Sequence, residues 1–131
     1  MPEGSYRYEV VALSAGHDRA SFRCGVEPLD RYFREQVTQD IRRRVTACFV
    51  AVTATGRVAG FYTLASASVL LGDLPVAVGR KLPRYPSVPA VRLGRLAVDQ
   101  ELSGRGLGGA LLADALARTI RSGIAACAVV G

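Results

Sequence analysis

The sequence is short of the residues that metal sites and disulfide frameworks need. It has one histidine, His17, and three cysteines, Cys24, Cys48 and Cys127, which stand far apart with no Cys-x-x-Cys pair. An odd, scattered set of thiols beside a single imidazole argues against structural disulfides and against zinc, so no metal is expected. Cys127 lies in an apolar run and reads as core. A catalytic thiol there, with His17 as its base, has nothing in the sequence to bring the pair together. No stretch approaches the roughly 18 uninterrupted apolar residues of a membrane span, and the opening "MPEGSYRYEV" has no apolar signal core. A cytoplasmic protein with no membrane contact is expected.

Lysine is nearly absent too. Lys81 is the only one, so the net charge of +6 rests on arginine. That balance favours a polyanionic partner or substrate; the plain alternative is guanidinium groups that only solvate the surface. With 131 residues, 50% of them hydrophobic and 21% charged, the chain reads as one globular domain spanning residues 1–131.

Along the chain, "YRYEVVALS" from Tyr6 to Ser14 predicts a first strand. Leu29, Tyr32, Phe33, Val37 and Ile41 then recur at three- and four-residue spacing, the pattern of one helix face, and Pro28 suits a first helical turn. "VTACFVAVT" and "RVAGFYTLASASVLL" flank a turn at Gly56 and predict a hairpin. "GDLPVAVGRKLPRYPSVPA" holds Pro75, Pro83, Pro86 and Pro89 and reads as a long surface loop. In "VRLGRLAVD" the alternation changes phase: Val91 and Leu93 hold one parity, Leu96 and Val98 the other. A bulge near Gly94 and Arg95 would return both pairs to one face. The following helix is read with Leu112, Leu116 and Ile120 on one ridge and Leu111 and Ala115 on the next. Asp114, Arg118 and Arg121 are expected to face away, with Gly123 closing the helix. "IAACAVV" predicts a short buried last strand.

Between strand and helix, "LAVDQELSGRGLGGALLADAL" places Gly104, Gly106, Gly108 and Gly109 at a helix mouth. The first N–H groups of a helix lack partners within it, and the helix dipole favours an anion there. Bare glycine lets a phosphate approach the main chain, and Arg105 adds a cation. A Walker loop is excluded because no Gly-Lys-Ser/Thr follows Gly108. A dinucleotide fingerprint belongs in an early strand-turn-helix unit, and this loop comes late.

This stretch resembles the acetyl-CoA motif of GNAT-family N-acetyltransferases, whose usual loop is [QR]-x-x-G-x-[GA]. The aligned letters here are S-G-R-G-L-G. Ser103 stands where Gln or Arg is usual, which leaves the main-chain cradle intact. "FRCGVEPLDRYFREQ", "GFYTLASASV" and "RLGRLAVD" resemble, more narrowly, the toxins of type II toxin–antitoxin pairs that acetylate the α-amino group of aminoacyl-tRNA and block translation. The resemblance implies an α/β fold: a mixed, mainly antiparallel sheet flanked by helices. It implies acetyl-CoA as co-substrate, held by Gly104, Arg105, Gly106, Leu107, Gly108 and Gly109 and by the strand backbone of Leu96, Ala97 and Val98. It also implies aminoacyl-tRNA as acceptor, a ribbon-helix-helix antitoxin as partner and a homodimer. Arg42, Arg43 and Arg44, with Arg80, Lys81 and Arg84, are candidates for tRNA phosphates.

In that family a tyrosine on the helix after the fifth strand protonates the departing thiolate. None of Tyr6, Tyr8, Tyr32, Tyr62 or Tyr85 matches its position, so the expected general acid lies beyond Gly131 and no catalytic residue is assigned. The chain reads as a portion lacking the final helix and strands, and is expected to be inactive by itself. Two other readings stay open: a non-catalytic module that binds acetyl-CoA or antitoxin, and an acetyltransferase for small amines or protein N-termini.

Overall fold

A computed structural model of the protein describes residues 8–70, 87–122 and 127–129. The described elements run β1 (Tyr8–Ala12), α1 (Glu27–Arg31), a π-helical turn (Tyr32–Gln36), α2 (Val37–Arg42), β2 (Ala47–Thr53), β3 (Val58–Leu70), β4 (Ser87–Val98), a 3-10 turn (Gln100–Leu102), α3 (Leu107–Arg121) and β5 (Cys127–Val129). The strands form one sheet in chain order; β1 to β4 pair antiparallel and β5 joins β4 in parallel. The expected strands, hairpin and helices are all present, and Gly56 makes the hairpin turn at φ +87°.

Both faces of the sheet are covered, and the two-residue period of its strands decides which residue serves which face. Val50 and Phe61 point to the side of α1 and α2, where Phe22, Phe33 and Phe61 pack with ring centroids 4.3 to 5.6 Å apart. Their neighbours Ala51 and Tyr62 point the other way, against Leu107, Leu111 and Ala115 of α3. Gly60 lets α3 close on the sheet: a Cβ there would lie 2.9 Å from both the Ala97 carbonyl and Leu111 Cδ1.

The phase fault in β4 is a bulge. Thr63 pairs with Arg95 and Leu64 with Leu93, so Gly94 is the extra residue. Leu93, Leu96 and Val98 accordingly share the α3 face, while Ala97 faces α1 and α2. The bulge is held by the Arg95 N–H, which donates to Thr63 Oγ1 at 3.0 Å.

Three expectations need correction. β4 starts at Ser87 and so takes in Pro89, paired with Ser68, where a surface loop was expected. Pro89 lies near the start of β4, and pairing with β3 carries the strand back through a stretch whose prolines suggested a loop. The buried ridge of α3 is Leu107, Leu111, Ala115 and Thr119; Leu112, Leu116 and Ile120 are exposed. Asp114 and Arg118 do not face away. Tyr62 Oη donates to the Asp114 carboxylate, as does Arg118 Nε at 2.8 Å, and the Arg118 guanidinium lies over the Phe49 ring and donates to the Val10 carbonyl. The loop residues Pro75, Pro83 and Pro86, the helix end at Gly123 and the side chain of Cys127 lie outside the described residues.

Candidate functional site

The site is built where β4 gives way to α3. Leu96, Ala97 and Val98 pair with Tyr62, Phe61 and Gly60 of β3 on one side. β5 pairs with β4 only from Val91 to Leu93. Beyond the bulge, no described strand pairs with the other side of Leu96–Val98.

Asp99 ends the strand. It is 1% exposed, and its carboxylate caps the 3-10 turn by accepting the Glu101 N–H at 2.9 Å. Ser103 follows, its hydroxyl donating to the Gln100 carbonyl. Gly104 and Gly106 then take φ of +77° and +80°, left-handed backbone that L side chains resist. Gly106 is the helix N-cap and supplies no side-chain bond; the Ala110 N–H donates to its carbonyl at 3.1 Å. Leu107, Gly108 and Gly109 are thus the first-turn residues whose N–H groups have no partner within the helix. A Cβ at Gly104, Gly106 or Gly109 would meet nothing within 4 Å, and at Gly108 only Val98 Cγ2 at 3.8 Å. The approach to those donors is open, and Arg105 stands exposed beside it. Leu107 turns inward and is buried, so of its groups only the main chain faces the loop.

The tyrosines nearest this region are engaged elsewhere. Tyr62 is fully buried; burial, and then its bond to Asp114, raise its phenol well above the ordinary range. Tyr32 donates to Asp40 at 2.8 Å, and burial followed by that bond pushes it up to about 12. Both hydroxyls thus donate to carboxylates within the fold. Cys48 is pushed up to about 12 by burial and is no nucleophile. His17 lies in a bend, where its Nδ1 accepts the Ser14 N–H.

Arg42, Arg43 and Arg44 lie at the end of α2, with Arg44 at φ +58°. Arg44 lines a cavity of about 610 Å³ together with Arg118 and Arg121 from the end of α3, a convergence the sequence spacing did not reveal. Arg80, Lys81 and Arg84 lie outside the described residues. Among the described residues no group of three or more His, Cys, Asp or Glu is placed to hold a metal, and no helix is long and apolar enough to cross a membrane.

Solved structures of other proteins share this fold. A solved structure of AtaT complexed with acetyl-methionyl-tRNAfMet matches with a TM-score of 0.82 and 28% identity, over 94% of this chain and 77% of that one. The chain is a GNAT-fold relative of the tRNA-acetylating toxins. A tRNA-acetylating toxin of Mycobacterium tuberculosis is 42% identical over 110 residues, which cover 84% of this chain. The match spans 64% of the toxin's own length. A Tyr-to-Phe mutant of AtaT, bound to the C-terminus of the antitoxin AtaR and to acetyl-CoA, matches with a TM-score of 0.73 and 25% identity, over 93% of this chain and 74% of that one. No protein-family model matches the chain.

Proposed function

We propose that the chain carries the acetyl-CoA cradle of an N-acetyltransferase that acetylates the α-amino group of aminoacyl-tRNA and thereby blocks translation. The observation that carries the reading is the open mouth of α3, with left-handed Gly104 and Gly106 leading to the first-turn donors of Leu107, Gly108 and Gly109. These N–H groups and the positive end of the helix dipole hold a pyrophosphate. The backbone of Leu96–Val98, on the side away from β3, holds the amide-bearing arm of the cofactor as an added strand would. When bound, acetyl-CoA supplies an acetyl thioester.

The transfer asks little acid–base chemistry of this chain. A free α-amino group has a pKa of roughly 8, and an aminoacyl ester lies lower, so the amine is substantially neutral near pH 7. With acetyl-CoA bound, its nitrogen would attack the acetyl carbonyl as the C–S bond breaks, the amine releasing a proton to solvent and the departing thiolate taking one up from it. What Leu96–Val98 and the glycine loop contribute is position, which alone supplies much of the rate. Arg42, Arg43 and Arg44 hold tRNA phosphates in this reading, a ribbon-helix-helix antitoxin is the partner, and the working form is a cytoplasmic homodimer.

The test has two arms. Acetyl-CoA is titrated into the chain by calorimetry, and transfer from radiolabelled acetyl-CoA to charged tRNA is measured for the chain and for a chimaera carrying the C-terminal remainder of the mycobacterial relative. Saturable acetyl-CoA binding, with label on the aminoacyl group in the chimaera, is expected. Absence of acetyl-CoA binding by both proteins would overturn the reading.

A further inference from the structure

Ahead of the glycine loop, Asp99 is held by both carboxylate oxygens and by its own main chain. Asp99 Oδ1 accepts the Glu101 N–H at 2.9 Å and an Arg57 guanidinium N–H at 3.1 Å; Oδ2 accepts the Arg23 N–H at 3.2 Å. Its own N–H donates to the Ala59 carbonyl, and the next N–H, of Gln100, donates to the Arg23 carbonyl, both at 2.8 Å. One buried carboxylate thus ties together the segment before α1, the β2–β3 turn that presents Arg57, and the end of β4. Arg57 adds a second bond, to Glu101 Oε2 at 3.1 Å.

We infer that Asp99 and Arg57 form a clamp that positions the cofactor loop, which makes both of them positioning residues for acetyl-CoA. The inference rests on reading the loop as the acetyl-CoA cradle. Its physical basis is that Gly104 and Gly106 leave the chain free to rotate, so the direction in which Leu107, Gly108 and Gly109 present their N–H groups depends on where the 3-10 turn is anchored. Asp99 supplies that anchor as N-cap of the turn, with the Leu102 N–H donating back to its carbonyl at 2.9 Å. Arg57 neutralises the buried carboxylate, and without it Asp99 would be a buried charge held by main-chain donors alone. The Arg57 side chain is 39% exposed, so replacing it opens no cavity in the core.

The test uses the whole chain with Arg57→Gln, Arg57→Lys and Asp99→Asn. Amide hydrogen exchange is followed without ligand, and acetyl-CoA and tRNA binding are measured separately. The Gln and Asn variants are expected to exchange faster from Gln100 to Gly109 while β2 and β3 keep their protection. They are expected to bind acetyl-CoA about tenfold more weakly, with tRNA affinity unchanged, and Arg57→Lys is expected to recover part of the loss. Unchanged loop exchange, or exchange that rises equally throughout the sheet, would overturn the clamp. Should the variants bind acetyl-CoA as well as the unaltered chain, the clamp alone falls. Should neither the unaltered chain nor the chimaera bind acetyl-CoA, the cradle reading falls, and the clamp's role in cofactor binding falls with it.

Discussion

The guanidinium carbon of Arg95 lies 3.6 Å from the centroid of the Tyr32 ring. Two irregularities meet in that contact: the bulge at Gly94 delivers Arg95, and the π-helical turn delivers Tyr32, whose hydroxyl is tied to Asp40. Arg95→Gln is expected to cost about 0.5–1 kcal/mol, the range for a cation over a ring at an exposed site. Tyr32→Phe keeps the ring and loses the bond to Asp40, for a cost of about 1 kcal/mol. Urea unfolding of both variants and of the double mutant checks this. Strict additivity would show that the two contacts act independently.

Gly60 is where α3 comes closest to the sheet. Gly60→Ala would drive a Cβ into backbone, the Ala97 carbonyl, as well as into Leu111, each 2.9 Å away. Neither the strand carbonyl nor a fully buried leucine can yield cheaply, so a loss of about 1–3 kcal/mol is expected. The midpoint of chemical unfolding measures it. A neutral result would mean that α3 rides farther from β3 than it does here.

Gly109 separates anion binding from folding. It has room for a side chain and lies in the first turn of α3, where a carboxylate favours the helix dipole. Gly109→Asp is therefore expected to leave thermal stability unchanged or slightly raised while sharply weakening acetyl-CoA binding, because like charge now meets the pyrophosphate. Ser103→Ala, which loses only a bond to the Gln100 carbonyl, is expected to change that binding little. Equal effects from the two variants in calorimetry would count against the main-chain cradle.

Much of this was legible in the sequence, and the failures have a common physical origin. The bulge could be read because a two-residue period leaves a visible fault when one residue is added, as between Leu93 and Leu96. The glycine loop could be read because left-handed backbone demands glycine at Gly104 and Gly106. The buried ridge of α3 could not, because Leu111 and Leu112 head two equally apolar stripes. The choice between them is made by Gly60 and Tyr62, some fifty positions earlier in the chain. The partner of Asp99 was hidden for the same reason: Arg57 is 42 residues away, and no spacing rule links a strand end to a distant hairpin turn.

The final prediction concerns acid. Burial alone would raise the Asp114 carboxyl, but hydrogen bonds from Tyr62 and Arg118, with the nearby Arg118 and Arg121 charges, outweigh it and hold the group below its ordinary 3.8. A carboxyl depressed in the folded state stabilises the fold fully above its unfolded value, about 3.9, and that contribution disappears as pH falls through the folded value. Asp114 joins α3 to β3 through Tyr62, and to β1 through Arg118 and the Val10 carbonyl. Protonating it should therefore loosen α3 from the sheet before the aromatic core opens. Asp114→Asn is expected to be less stable than the unaltered chain at pH 7, with the difference narrowing as pH drops below about 4. Thermal melts from pH 7 down to pH 3 give the comparison. A difference that stayed constant across that range would mean that the carboxylate's charge contributes nothing, and that only the shape of its hydrogen bonds matters.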